Sequence, residues 1–116
     1  MKILVVDDDV DLLRMLEKLL VDRGHEVHAC ATPFGVAALV LRETPHVVVL
    51  DMMMPGLSGG ELADTIRGLD VTPAPKLVLW SAMDEDQLLD EGVRLGVPVV
   101  SKAQRPSRLV DVIEKL

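Results

Sequence analysis

Five side chains in this sequence could together carry out metal-assisted phosphoryl chemistry. Asp7 and Asp8 follow one short apolar run, and Asp51 closes another. The Ser81 hydroxyl and the Lys102 ammonium each follow a further run. Neighbouring carboxylates disfavour one another's ionised form unless a cation balances them, and Mg²⁺ suits a site with few carboxylates, several waters and a phosphate oxygen. The set therefore predicts a Mg²⁺ site at which Asp51 attacks phosphorus and forms an acyl phosphate.

Each of these residues has a simpler interpretation when it is taken alone. The acids from Asp7 to Asp9 could merely cap a helix, whose N-terminus favours negative charge. A single serine or lysine is usually structural or solvated. Asp51 is harder to explain in this way, because a carboxylate that closes a buried strand needs a partner or a role. The prediction of a functional site therefore depends on the whole set.

Short apolar runs alternate with longer amphipathic stretches along the chain, which is typical of βα units. The runs at residues 3–6 and 47–50 are apolar on both faces, as central parallel strands are when helices cover both sides of a sheet. The second run is more polar and suits an edge strand. The predicted strands are residues 3–6, 26–31, 47–50, 76–80 and 97–100.

Helix start and stop signals fill the intervals between these runs. Thr32 and Pro33 offer an N-cap and a first-turn proline for the second helix. The glycines before residue 61 are assigned to a loop, so the third helix is predicted at residues 61–67. The other signals are a start near Val10 and a stop at Gly24, an Asp84 cap and a Gly96 stop, and a Pro106 start for the last helix. The apolar helical positions are Leu12, Leu13, Leu16, Leu19, Leu20, Val36, Ala37, Val40, Leu41, Leu62, Ile66, Leu88, Leu89, Val93, Leu109, Val110 and Ile113.

This alternation predicts an α/β fold, a doubly wound five-stranded parallel sheet with helices on both faces. A Gly-x-Gly-x-x-Gly turn after the first strand is absent, which favours the flavodoxin-like order 2-1-3-4-5 over the dinucleotide-binding order. In such a sheet, ligands gather beyond the carboxyl ends of strands one and three. Asp7, Asp8 and Asp51 end those two strands, and Ser81 and Lys102 end strands four and five. We therefore expect all five side chains at one edge of the sheet.

Composition restricts the classes of protein that remain. The length of 116 residues suits one domain, residues 1–116. We expect no direct nucleic-acid binding and no membrane association, because the formal net charge is −7 and no run approaches the ~20 apolar residues of a spanning helix. The first residues reach acids too early for a signal peptide. With a single cysteine, Cys30, the sequence predicts a cytoplasmic protein.

Three other groups of residues have structural interpretations. His25, His28 and Cys30 could suggest a metal site, but they are better explained as the polar side chains of an edge strand. The run Met52 to Met54 is interpreted as packing over the site. Trp80 is interpreted as a core residue that should report changes at the neighbouring site by fluorescence.

The sequence resembles the response-regulator receiver domain, the phosphoacceptor module of bacterial two-component signalling. The resemblance covers essentially the whole chain and is carried by the runs at residues 5–9 and 50–56, by Ser81-Ala82 and by Lys102. It implies that Asp51 accepts a phosphoryl group from the phosphohistidine of a histidine kinase. It further implies that Asp8, Asp51 and the backbone carbonyl of Met53 bind Mg²⁺, with Asp7 acting mainly through water. Ser81 and Lys102 would contact the phosphoryl group.

The resemblance also implies partners and an output surface. The partners would be a histidine kinase or phosphotransfer protein and a downstream effector domain or protein. The switching surface would be formed by the fourth helix, the fifth strand and the fifth helix, and a homodimer through it is a further expectation. The chain would be a phosphoacceptor signalling domain whose only catalysis is its own phosphotransfer and autodephosphorylation.

Two positions depart from the family pattern. Ala103 stands where the family usually has a proline in a cis peptide, and Val99 stands where it has an aromatic residue. No aromatic relay is therefore expected at Val99. Two other classes stay open from the residues alone: a receiver-like interaction module that is not phosphorylated, and, with less support, a flavin-binding protein.

Overall fold

The structure, a computed structural model, describes residues 1–116 and contains five strands and five helices in strict alternation. The strands form one parallel sheet in the order β2-β1-β3-β4-β5, which confirms the predicted fold class and strand order. None of the helices combines the length and the apolar character that crossing a membrane requires. The elements are β1 (Lys2–Val6), α1 (Val10–Asp22), β2 (Glu26–Cys30), α2 (Val36–Glu43), β3 (Val47–Asp51), α3 (Gly59–Arg67), β4 (Lys76–Ser81), α4 (Glu85–Leu95), β5 (Val99–Ser101) and α5 (Pro106–Glu114).

Two apolar layers sandwich the sheet, because successive side chains of a strand point to opposite faces. One layer lies under α1 and α5 and takes Val47 and Val49 from β3. The other lies under α2, α3 and α4 and takes Val48 and Leu50 from the same strand. All five residues of β3 are buried, as predicted for a central strand. β2 is only partly buried, which agrees with its place at the edge of the sheet.

The predicted start of the second helix is wrong. α2 begins at Val36, and the residue before it, Gly35, has a left-handed backbone with φ of 83°. Thr32 does not cap this helix, because its hydroxyl accepts the backbone N–H of Phe34 at 3.3 Å. Such a local bond offers the backbone an alternative to the helix, so the segment around Pro33 forms a turn instead.

Two other predicted boundaries are also wrong. The sequence places Gly59 and Gly60 in a loop, but they open α3, whose N-cap is Ser58. The sequence predicts the fifth strand at residues 97–100, whereas β5 is Val99–Ser101. Its start moves because the N–H of Val97 bonds the carbonyl of Gly92 and Gly96 adopts a left-handed conformation, which together end α4 in a Schellman motif.

The apolar residues predicted on the helices are divided between core and surface. Leu88 on α4 is buried. Leu41 on α2 and Leu89 and Val93 on α4 are exposed, with Val93 82% exposed. The surface of α4 therefore carries an apolar stripe beside its acidic residues.

Candidate functional site

The register of the sheet brings the two buried acids together. In the ladder between β1 and β3, Val6 lies opposite Leu50. One step further along both strands, Asp7 comes opposite Asp51, at the carboxyl edge of the sheet. Adjacent strands are about 4.8 Å apart, so side chains at matching positions on one face are neighbours.

The structure places the carboxylates of Asp7, Asp8 and Asp51 in one cluster. One oxygen from each lies within 4.8 Å of the oxygens of the other two. Asp7 is fully buried and Asp51 is 3% exposed, whereas Asp8 faces the solvent. The cluster is therefore open on the side of Asp8, from which an ion or a phosphorylated donor can approach.

Each buried acid has one oxygen held by the local backbone. Oδ1 of Asp7 accepts the N–H of Asp9 at 3.0 Å, and Oδ1 of Asp51 accepts the N–H of Met53 at 3.1 Å. Both are Asx turns formed where the chain leaves a strand. The second oxygen, Oδ2, of each acid is left for a cation.

Lys102 provides a cation at both of these oxygens. Its Nζ lies 2.7 Å from Oδ2 of Asp7 and 3.3 Å from Oδ2 of Asp51. The approach to Asp51 has hydrogen-bond geometry, but Oδ2 of Asp7 is buried with no hydrogen-bond donor aligned to it. The contact with Asp7 is thus a close ion pair without hydrogen-bond alignment.

Burial and charge shift the pKa of Asp51 and of Lys102. The pKa of Asp51 is raised to about 6, chiefly by burial and to a smaller extent by the nearby Asp7, while the Met53 N–H and Lys102 oppose the rise. Burial alone would lower the pKa of Lys102, but its pairing with Asp7 and Asp51 leaves that pKa above its ordinary value. Lys102 is therefore charged at neutral pH, and Asp51 ionises less readily than an ordinary aspartate.

Asp9 and Ser81 have local roles in this structure. Oδ1 of Asp9 accepts the N–H of Leu12 at 3.2 Å and caps α1, so the capping interpretation holds for this third acid. Ser81 ends β4 and is buried, and its hydroxyl accepts the N–H of Met83 at 3.1 Å. The carbonyl of Ser81 also accepts the N–H of Lys102 at 2.8 Å, which ties the ends of β4 and β5 together.

The residues present fit a hard divalent cation. A fully buried carboxylate oxygen with no aligned donor, next to two further carboxylates, is an arrangement that a divalent ion with oxygen ligands satisfies. Mg²⁺ suits it because few protein oxygens are present, which leaves positions for waters and a phosphate oxygen.

The methionines after Asp51 differ in their environments. Met52 and Met54 are buried in the layer under α2, α3 and α4, which agrees with the interpretation as packing. Met53 is 58% exposed. Its backbone, which holds Asp51, is the part that faces the site.

The histidines of the edge strand take part in ion pairs away from the site. Nε2 of His28 lies 2.8 Å from Glu26 and 3.7 Å from Glu43, a residue that the sequence analysis did not connect with it. Lys2 pairs with both glutamates and offsets their charge. Nε2 of His25 lies 2.9 Å from Glu114 at the end of α5. Cys30 is half-buried, and this burial raises the pKa of its thiol.

Trp80 has a contact that the sequence analysis missed. Its indole ring lies under the ammonium of Lys102, with 5.0 Å from Nζ to the ring centroid. A signal for this contact was present in the strand pattern. Trp80 pairs with Val100, and Lys102 follows Val100 by two residues, so both side chains project from the same face.

Comparison with known proteins identifies the family. A sequence model described as the response regulator receiver domain matches residues 3–114. The transcriptional regulatory protein KdpE of Mycobacterium tuberculosis is 34% identical over 93 residues, which are 78% of this chain and 40% of KdpE. The chain thus spans well under half the length of this relative.

Solved structures agree with the fold. The chemotaxis protein CheY4 of Vibrio cholerae superposes with a TM-score of 0.87 at 23% identity, covering 98% of this chain and 96% of CheY4. The BeF3-activated N-terminal receiver domain of Klebsiella pneumoniae RstA gives a TM-score of 0.86 at 23% identity, covering 99% of this chain and 97% of the RstA domain. The chain therefore belongs to the response regulator receiver domain family of two-component signalling systems.

Proposed function

We propose that Asp51 accepts a phosphoryl group in a Mg²⁺-dependent reaction and that this modification switches the surface formed by α4, β5 and α5. The observation that carries the proposal is the cluster at the carboxyl edge of the sheet. Three carboxylates lie within 4.8 Å of one another, and Lys102 lies against the two buried ones. Lys102 reaches this edge from the end of β5, which also supplies part of the proposed output surface.

Asp51 is the proposed nucleophile because the family resemblance implies that role for it. Its Oδ1 accepts the Met53 N–H at 3.1 Å, so the carboxylate has a fixed orientation. An oxygen of Asp51 attacks phosphorus while the bond from phosphorus to the leaving group breaks. With phosphohistidine as donor, the imidazole nitrogen leaves with the bonding electrons and later takes a proton.

The other site residues have supporting roles in the proposal. Asp7, Asp8 and Asp51, with the Met53 carbonyl that the family resemblance implies, would hold Mg²⁺. When bound, the ion supplies positive charge against the carboxylates and against the oxygens of the transferred group. Lys102 would pair with a phosphoryl oxygen. The Ser81 hydroxyl, which now accepts the Met83 N–H, would donate to another.

The proposed partners follow from the family. We propose a histidine kinase or a phosphotransfer protein as the phosphoryl donor, and the cytoplasm as the compartment in which they meet. The output would pass to an effector domain or protein, because the relative KdpE is a transcriptional regulatory protein and this chain spans 40% of it. We propose no direct contact with nucleic acid by these residues, whose net charge is −7.

The α4 surface supports an output role through exposed apolar area. Leu89 is 56% exposed and Val93 82% exposed, one helical turn apart. Arg108 of α5 lies beside Leu89 and Val93 along a shallow groove between the two helices. We propose that a partner or a second copy of the chain covers this surface.

Labelling with acetyl phosphate tests the proposed function. We expect intact-mass spectrometry to show one added phosphoryl group in the presence of Mg²⁺ and none in EDTA. Asp51→Asn should show none in either condition. An unlabelled wild-type protein, given both acetyl phosphate and a histidine kinase, would instead support the interaction module that works without phosphorylation.

A further inference from the structure

We infer that Trp80 is a positioning residue for Lys102, holding its ammonium at the site by the face of the indole ring while the carboxylates change their partners. This inference deepens the proposed function and rests on it in part. It concerns a residue that is the only tryptophan of the chain and lies within the sheet.

The sheet places Trp80 on the strand next to Asp51, at the same level of the sheet. Trp80 is the register partner of Asp51 on β3 and of Val100 on β5. It is 2% exposed and packs in the layer under α1 and α5. Because β3 and β5 flank Trp80 and residues of α1 and α5 pack in the same layer, its ring is a rigid surface.

Lys102, in contrast, has a long side chain that is held mainly at its two ends. Its backbone lies beyond β5. The hydrogen bond from its backbone N–H to the Ser81 carbonyl, at 2.8 Å, fixes only the Cα from which the side chain extends. Four rotatable bonds separate that anchor from Nζ. The ammonium is held at its far end by Asp7, by Asp51 and by the Trp80 ring.

These three contacts differ in how they respond to chemistry at the site. The contacts with Asp7 and Asp51 depend on the charge of those acids, which a bound cation or a phosphoryl group on Asp51 alters. The contact with the ring does not, since the attraction between a cation and an aromatic face needs no carboxylate. Trp80 is thus the one of the three that keeps Lys102 at the edge of the sheet throughout the reaction.

Two substitutions of Trp80 separate the effect of losing the aromatic face from the effect of losing buried volume. Trp80→Phe keeps an aromatic face, and Trp80→Leu removes it. Leu20→Ala is the control for lost volume, because Leu20 is buried in the same layer but lies near the C-terminal end of α1, away from the helix start beside Asp7 and Asp8. Circular dichroism establishes that each variant is folded before it is assayed.

The first readout is the rate of labelling by acetyl phosphate at saturating Mg²⁺. Trp80→Leu should lower this rate by about three- to tenfold, as expected for a lost cation–π contact, with Trp80→Phe nearer to wild type and Leu20→Ala unchanged. In a Lys102→Met background, Trp80→Leu should have no further effect. An equal loss in the two backgrounds would overturn the inference.

The second readout needs no labelling and therefore separates this inference from the proposed function. The Hε protons of Lys102 should resonate upfield of those of the exposed Lys18, because they adjoin the ammonium that lies over the indole ring. They should stay upfield when Mg²⁺ is added. Trp80→Leu should return them to ordinary values. Ordinary shifts in the wild-type protein, or an upfield shift that Mg²⁺ abolishes, would overturn the inference even if the protein is phosphorylated. An unlabelled protein that retains the upfield shift would refute the proposed function and leave the Trp80 contact standing.

Discussion

Nζ of Lys102 lies 2.7 Å from Oδ2 of Asp7, and this ion pair joins the first and the last strand ends of the site across the carboxyl edge of the sheet. Asp7 is fully buried, so its charge needs a partner. The ammonium is shared with Asp51 at 3.3 Å. The stability of the fold and the chemistry of the site therefore depend on the same few charges.

Removing the lysine should expose this dependence. Lys102→Met leaves two buried carboxylates without their cation, so we expect the free energy of unfolding in EDTA to fall by about 2–4 kcal/mol. Mg²⁺ should restore part of the loss, because a divalent ion offsets the same charges. Urea denaturation with EDTA and with Mg²⁺ measures both effects.

The exposed Lys18 on α1 provides a control of the same chemistry. Lys18→Met should change the free energy of unfolding by no more than about 0.5 kcal/mol, with the same response to Mg²⁺ as the wild type. The account of the ion pair fails if the two variants are equally stable in EDTA.

The raised pKa of Asp51 predicts that replacing it with the neutral asparagine stabilises the fold, by an amount that depends on pH. The folded-state pKa is about 6, against an ordinary value of 3.8, so the ionised form costs stability as the pH rises through this window. Asp51→Asn should therefore raise the free energy of unfolding by about 1–3 kcal/mol at pH 7.5 without metal. The gain should shrink as the pH is lowered through 6 toward 4.

Thermal unfolding of both proteins across this pH range checks the sign. The stabilisation by Asp51→Asn could instead grow toward low pH, or the variant could be less stable than wild type at pH 7.5. Either result would mean that burial is not the largest influence on the pKa of Asp51.

Gly59 is required by the close approach of α3 to the end of β3. A Cβ at this position would overlap the carbonyl oxygen of Asp51 and come within 2.9 Å of Cα of Met52. These are backbone atoms that cannot move aside alone, so Gly59→Ala should lower the free energy of unfolding by about 1–3 kcal/mol and slow phosphoryl labelling.

The next residue supplies a matched control. A Cβ at Gly60 would meet only the ends of flexible side chains, Nη2 of Arg94 at 3.0 Å and Cε of Met52 at 3.4 Å. Gly60→Ala should therefore be neutral or stabilising by up to about 1 kcal/mol, from its better helix propensity. Urea denaturation of both variants tests the contrast, and similar effects would contradict the backbone argument.

Gly92 allows α4 to lie close against β5. A Cβ there would come within 2.5 Å of Cγ1 of Val99 and 3.0 Å of the carbonyl oxygen of Val97. Gly92→Ala should destabilise the fold by about 1–3 kcal/mol, and Val99→Ala in the same chain should recover part of that loss by making room. A strictly additive double variant, measured by thermal unfolding, would show that the two residues do not meet.

The sequence predicts the sheet well because its strands are short, apolar and well separated by turn signals. The strand order and the meeting of Asp7, Asp8 and Asp51 follow from strand ends in a parallel sheet, and the structure contains both. The roles proposed for these residues, and for Ser81 and Lys102, stay predictions until phosphorylation is measured.

The predicted starts of the second helix and the fifth strand are wrong because a local hydrogen bond outweighs a general conformational preference at each of them. The Thr32 hydroxyl bonds the N–H of Phe34, and this turn prevails over the first-turn preference of Pro33. The Schellman motif at Gly96 takes Val97 out of the fifth strand. The ring of Trp80 under Lys102 was missed because an apolar position next to the site was interpreted only as core.

The most direct test of the central claim is to locate the phosphoryl group within the chain. After brief reaction with acetyl phosphate and Mg²⁺, hydroxylamine converts an acyl phosphate to a stable hydroxamate, which tandem mass spectrometry of peptides can assign to one residue. We expect the hydroxamate at Asp51 and at no other acid. A modification at Asp7 or Asp8, or a phosphoryl group that resists hydroxylamine at Ser81 or a histidine, would contradict the account.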